Sequence, residues 1–265
     1  MDPATKNKFG RVDLEVTAFG FGTAPVGNIF REIDEETSDG MFQAAWDSGV
    51  RYYDTAPMYG HGLAELRTGQ SLRWKNRDDL VLSSKVGRRL VPAKRSDIDF
   101  APWTNAAPFN LEFDYTYDGT MRAFEDSLQR LALERMDICF IHDIDIFTRG
   151  DAQPDVFKQA MDGAWKALAK LRDEGAKYNY APAPAEIMDR VAKIEAVCAD
   201  HQVPLPAAAL QFVVAHPAIP SFIAGTRTIA QLDQNLNWFR HEIPADFWAE
   251  LKHEGLLRID APVPV

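Results

Sequence analysis

Gly20-Phe-Gly22-Thr-Ala-Pro-Val-Gly27 decides the fold. It leaves a short apolar run, Phe19 to Thr23, and leads toward the acidic helix start Asp34-Glu-Glu-Thr37. A doubly wound dinucleotide fold would carry G-x-G-x-x-G here, opening a helix directly. The glycine spacing is wrong and a proline stands where the helix should begin, so the Rossmann reading is rejected. Outward from this point, apolar strands alternate with amphipathic helices. Strands are predicted at Arg51 to Ala56, Leu80 to Val86, Asp137 to Ile144 and Ser221 to Ala224, besides Phe19 to Thr23. Helices are predicted from Asp34, over Ala64 to Trp74, and through Met121, Phe124, Leu128 and Leu131, which share one face. Others follow at Asp155 to Arg172, through Ile187, Val191, Ile194 and Cys198, and at Ala207 to Ala215, Thr228 to Arg240 and Pro244 to Leu257. Lys8 to Ala18 reads as an N-terminal β-hairpin, and Arg88 to Asp114 as a long irregular stretch. The alternation predicts an α/β fold, a TIM-type (β/α) barrel in one domain over 1–265. No strand is readable from Asp155 to His201, so the barrel is expected to be incomplete, with about five of its usual eight strands.

Composition narrows the function classes. The chain has 265 residues, 46% hydrophobic and 26% charged, which is ordinary globular usage and excludes a disordered or fibrous protein. Acidic residues outnumber basic ones 39 to 29, a net charge of −10 that repels phosphate backbones and anionic lipid. No nucleic acid and no membrane partner are therefore expected. Cys139 and Cys198, in apolar surroundings, read as buried thiols of a reducing compartment. MDPATKNKFG has no apolar core of a signal peptide, and the prolines of the Val203 to Thr226 stretch would break a membrane helix. The expected location is cytoplasmic.

In a β/α barrel the chemistry sits at the C-terminal ends of the strands. The polar residues there are Asp54, with Tyr59 in the loop that follows, Lys85, and His142-Asp143. A lysine held in a barrel mouth needs a counter-charge, which Asp54 supplies. A tyrosine beside that ammonium has its phenolate favoured, which makes Tyr59 a general acid for a carbonyl oxygen or a base for an alcohol. His142 would hydrogen-bond the same oxygen. The group polarises C=O but supplies no electrons, so a hydride carrier is implied. The bland reading of the pair Asp54 and Lys85 is a buried ion pair.

Phe19-Gly-Phe-Gly-Thr23, Tyr53-Asp-Thr-Ala-Pro-Met-Tyr-Gly60 with Glu65 behind it, Ser83-Ser-Lys-Val-Gly87 and Ile141-His142-Asp143 together resemble the aldo-keto reductases. Tyr59-Gly-His-Gly-Leu63, Phe140-Ile-His-Asp-Ile144 and Tyr180-Ala-Pro-Ala-Pro184 are similar to the bacterial D-threo-aldose (L-fucose) 1-dehydrogenase and pyridoxal 4-dehydrogenase branch. The resemblance implies a catalytic set Asp54, Tyr59, Lys85 and His142, an NAD or NADP cofactor, and a small carbonyl or sugar substrate. It also implies a cofactor site at positions matching Gly22, Thr23, Asp54, Gly225, Thr226, Arg227, Gln231, Gln234 and Asn235, where a helix N-terminus favours phosphate. Thr228 and Gln231 also form a T-x-x-Q capping pattern that any helix start can use. Trp103 and Phe109, with Phe100, are expected to line the substrate mouth.

The resemblance fails between Gly175 and Tyr178, where the family's fifth to seventh strands are absent, at about 30 residues per unit. Those strands hold and stack the nicotinamide in the family. Two readings therefore stay open: an NAD(P)-dependent oxidoreductase of aldoses or aldehydes, and a shortened relative that binds a nucleotide or a partner without turnover. A metal-dependent hydrolase using Asp54, His142, Asp143 and Asp145 would want more histidine ligands than this pattern offers, so no metal is expected.

Overall fold

Two three-residue strands, β1 (Lys6–Lys8) and β2 (Glu15–Thr17), pair antiparallel at the N-terminus, with Val16 and Thr17 buried and the charged residues outward. The first arm thus begins at Lys6 rather than Lys8. The computed structural model describes residues 1–10, 12–172 and 185–264. The Tyr180-Ala-Pro-Ala-Pro184 run and the junction expected between Gly175 and Tyr178 lie outside the described residues.

The first two βα units follow. β3 (Phe19–Gly22) leads to α1 (Glu35–Asp47), whose cap is Asp34 accepting from the Thr37 N–H at 2.7 Å. β4 (Tyr52–Asp54) leads to α2 (Leu63–Leu72). Next come β5 (Val81–Val86), β6 (Arg88–Pro92) and β7 (Phe109–Phe113), then α3 (Tyr117–Leu131) and β8 (Ile138–Ile141). A helical stretch comes next: α4 (Ile146–Arg149), α5 (Gln153–Asp162), α6 (Ala164–Arg172), α7 (Ala185–Asp200) and α8 (Leu205–Ala215). β9 (Phe222–Gly225), α9 (Ile229–Arg240) and α10 (Ala245–His253) close the chain.

Five strands form one parallel sheet in the order β8-β5-β4-β3-β9. The sheet is the α/β architecture the alternation predicts, and the barrel is open: β8 and β9 are its two edges, and among the described residues no strand stands between them. Strands and helices share a core of Phe19, Phe21, Met41, Phe42, Tyr53, Leu82, Leu131, Leu232 and Phe239, each at most 2% exposed. Each such side chain contributes about 1.5–3 kcal/mol by leaving water. A second cluster joins α7, α8 and α10 through Val197, Cys198, Ala208, Phe247 and Trp248. Cys139 and Cys198 are both buried free thiols. Among the described residues no helix is long and apolar enough to cross a membrane.

Two expectations need correction. The stretch Arg88 to Asp114 is not wholly irregular: β6 and β7 pair antiparallel, Arg88 opposite Phe113 through Pro92 opposite Phe109. The Phe109-Asn-Leu-Glu-Phe113 alternation carries that signal, and Pro92 and Pro108 sit at strand margins where a missing N–H is harmless. The single helix over Asp155 to Arg172 is instead two, broken at Gly163, where an added Cβ would overlap the Tyr115 carbonyl. Between β8 and α5, Asp145 caps the short α4 by accepting from the Thr148 N–H at 2.9 Å.

Candidate active site

The parallel strands deliver their polar residues to one end of the sheet. Asp54 ends β4, Lys85 is the penultimate residue of β5, and His142 follows the last residue of β8. Register holds them level, since Asp54 lies opposite Ser83 on β5, and Lys85 lies opposite Phe140 on β8. Tyr59 comes from the loop after β4, which can turn so tightly because Gly60 takes φ +64. A Cβ there would overlap the Gly27 carbonyl.

The Lys85 ammonium uses all three of its hydrogens. It donates to Asp54 Oδ2 at 2.8 Å, to the Thr55 carbonyl at 2.8 Å, and to the Tyr59 hydroxyl. Its nitrogen stands 4.7 Å from the Tyr59 ring centroid. Ser83 Oγ donates to the other Asp54 oxygen at 2.7 Å. Burial works against charge on Lys85, but Asp54 and Tyr59 outweigh it and hold the ammonium above its ordinary pKa. A phenol that accepts from an ammonium keeps its own proton for a second partner.

The His142 ring meets Tyr59 edge-on, with centroids 6.0 Å apart. Burial first, then the neighbouring Arg88, Lys85 and Arg149 cations, push its pKa well below the ordinary histidine value, so the imidazole is neutral. Trp103 also packs against Tyr59, at 5.8 Å between centroids, and is 5% exposed. Phe109 stands in β7, where its carbonyl accepts from His61 Nδ1 at 2.7 Å, and Phe100 packs against His61 at 5.2 Å. Of the aromatics expected at the mouth, Trp103 is therefore the one in contact with Tyr59.

Behind the cluster, Glu65 of α2 is fully buried, accepting from Ser84 Oγ and from Arg130 Nε, both at 2.7 Å. Tyr115 reaches beneath the β5 and β8 ends and donates to the His142 carbonyl at 2.7 Å. Gly87, at φ +99, makes room for the Tyr115 ring. Gly87→Ala is expected to cost several kcal/mol, about 1–3 from the left-handed backbone and about as much from overlap with that ring. Chemical denaturation checks it, and an unchanged midpoint and slope would contradict this packing.

A family model described as the aldo/keto reductase family matches residues 18–181 and 184–254. The chain belongs to the aldo-keto reductase family. It is 32% identical to a pyridoxal 4-dehydrogenase from Microbacterium luteolum, over 95% of this chain and 98% of that one. It is 31% identical to a D-threo-aldose 1-dehydrogenase from a Pseudomonas species, over 92% and 95%. The pairing with the first runs over 335 positions although this chain has 265 residues, so that relative holds a stretch with no counterpart here. Among solved structures, a putative aldo-keto reductase from Pseudomonas aeruginosa superposes with a TM-score of 0.60 at 24% identity, covering 88% of this chain and 93% of that one. The similarity to that structure speaks to the fold.

Aldo-keto reductases work with a nicotinamide dinucleotide, and the residues of this member fit one end of it. Gly22 and Gly225 lie side by side on β3 and β9, where a Cβ on Gly22 would come 3.2 Å from Ile223 Cγ2. Thr23 Oγ1, Thr226 Oγ1 and Arg227 Nε are buried polar atoms with no hydrogen-bond partner among the described residues. They stand beside the start of α9, whose partial positive charge suits a phosphate. Gln231 is engaged in the cap: its N–H donates to Thr228 Oγ1 at 3.1 Å, and its side-chain oxygen accepts from the Arg227 N–H at 2.9 Å. On the same helix Gln234 is exposed and Asn235 half-buried. At the other end, where the family's intervening strands would hold the nicotinamide ring, the described residues supply no strand. Among the described residues, polar groups that suit the adenosine-phosphate end are thus present, and strands for the nicotinamide end are not.

The acids weighed for a metal are engaged elsewhere, Asp143 with Arg88 and Asp145 in its cap. Among the described residues no group of three or more His, Cys, Asp or Glu side chains converges as a metal site. Sequence reasoning missed Thr55, Arg88 and Tyr115. Thr55 Oγ1, directly after Asp54, is another buried hydroxyl with no hydrogen-bond partner among the described residues. Its place at a strand's C-terminal end was the readable signal.

Proposed function

We propose that the protein is an NAD(P)-dependent oxidoreductase that interconverts the carbonyl and alcohol levels of an aldose or related aldehyde. The observation that carries this is the Lys85 ammonium, shared between Asp54 and Tyr59, with neutral His142 facing the same ring. Lys85 favours the phenolate of Tyr59, which lets that oxygen give its proton to a substrate carbonyl or take one from a substrate hydroxyl. Asp54 fixes the ammonium in place, and His142 hydrogen-bonds the reacting oxygen. Trp103, almost fully buried, packs against Tyr59 and fixes the ring that carries the phenol. The dinucleotide, when bound, supplies or accepts the hydride. Gly22, Thr23, Gly225, Thr226 and Arg227 would hold its phosphates and adenosine, with Gln234 and Asn235 farther along α9.

The open edge between β8 and β9 favours a second reading, a shortened relative that binds the nucleotide without turnover. We place the missing segment at 175–178. Both readings predict that the nicotinamide adds little grip. By calorimetry, NAD(P) is expected to bind no more than about tenfold tighter than the matching adenosine diphosphate, since about 1.4 kcal/mol is tenfold. Dinucleotide binding a thousandfold tighter would contradict the open nicotinamide side. Reduced nicotinamide accumulating with an aldose or pyridoxal supports the oxidoreductase. Binding with no turnover of any such substrate supports the remnant.

A further inference from the structure

Arg88 is the first residue of β6, 4% exposed, and none of the chemistry above uses it. Its guanidinium touches three parts of the site. One terminal nitrogen lies 3.4 Å from His142 Nδ1 and also contacts Met58 Sδ, next to Tyr59 in the chain. The other donates to the Asp143 carboxylate. Asp143 is held in the left-handed region at φ +50, which aspartate enters more readily than most residues. Arg149 Nε donates to its carbonyl at 2.7 Å, and Tyr115 grips the carbonyl of His142.

We propose that Arg88 is a positioning residue that sets the tautomer of His142. A guanidinium has five N–H donors and no acceptor, so the nitrogen it meets must carry the lone pair. A neutral imidazole has one lone-pair nitrogen and one N–H. With Nδ1 turned to Arg88, the proton sits on Nε2, and His142 becomes a hydrogen-bond donor. The groups around the ring agree. Nε2 lies 3.7 Å from Asp143 Oδ1, outside hydrogen-bond distance but on the side of a carboxylate that favours an N–H. Arg88, Lys85 and Arg149 oppose a second proton on the ring. A substrate carbonyl oxygen needs a donor, and the opposite tautomer would point a lone pair at it. The functional meaning rests on the proposed oxidoreductase reading; the tautomer itself does not.

The test is two-bond proton–nitrogen correlation NMR on the nitrogen-15 histidine-labelled full chain, in which His142→Gln identifies the His142 signals among six histidines. The expected result is a bare Nδ1 and a protonated Nε2 in the wild type. In Arg88→Met the two nitrogens should move toward an averaged mixture of tautomers, while Arg88→Lys, which keeps a donor, should stay closer to wild type. With an aldose, Arg88→Met should lose about a hundredfold in kcat with little change in nucleotide affinity, a loss that Arg88→Lys, which keeps a donor, should partly restore. Protonated Nδ1 in the wild type overturns the proposal whatever the variants do. So does a folded Arg88→Met with unshifted His142 signals. If the wild-type tautomer is as stated but no substrate turns over, the oxidoreductase reading fails and the tautomer assignment stands.

Discussion

Tyr59→Phe is expected to lower kcat on an aldose by about a thousandfold, within the range that positioned acid–base catalysis supplies. Nucleotide affinity should change by less than about twofold. The phenyl ring is kept, so the packing against Trp103 at 5.8 Å and against His142 at 6.0 Å survives. Only the hydroxyl is removed, and with it the group that Lys85 holds. Loss confined to kcat identifies an interaction made in the transition state. A rise in KM with kcat intact would place Tyr59 in substrate binding instead.

The second large effect concerns stability as well as rate. Lys85 and Asp54 are an ion pair with side chains only 11% and 12% exposed. Lys85→Met removes the cation and leaves the carboxylate with Ser83 Oγ as its remaining side-chain donor. Breaking a buried pair from one side costs about 3–5 kcal/mol. The double variant Lys85→Met with Asp54→Asn should recover most of that loss, because no unpaired charge remains. It should not recover turnover, since the ammonium beside Tyr59 is still missing. Equal destabilisation of single and double variants would mean that packing of the lysine stem, and not the charge, dominates.

The sheet was legible because its first strands are apolar runs that stop at a polar residue and lead to a helix with a cap or an amphipathic face. Phe19–Gly22 and Tyr52–Asp54 are of this kind, while Val81–Val86 carries Ser83, Ser84 and Lys85 before its last residue and is followed by β6; the parallel order follows from the helices between the sheet strands. Asp54, Lys85 and His142 were legible for the same reason, as polar residues where apolar strands stop. The β6–β7 hairpin was hidden because Pro92, Pro102 and Pro108 suggest breaks, although only the alternation within each arm decides pairing. The split at Gly163 was hidden too, since the apolar face runs through it and the cause is a distant carbonyl, that of Tyr115. Arg88 and Tyr115 escaped notice because their roles come from contacts across 54 and 27 positions, which local pattern does not contain.

Hydride transfer can be followed directly. The chain is incubated with an aldose deuterated at C1 and with NAD or NADP, and deuterium in the reduced nicotinamide is read by mass spectrometry for wild type and Tyr59→Phe. The account predicts deuterium in the nucleotide from the wild type and about a thousandfold slower appearance from the variant. Equal labelling by both proteins, or none from a wild type that binds the dinucleotide, would contradict it.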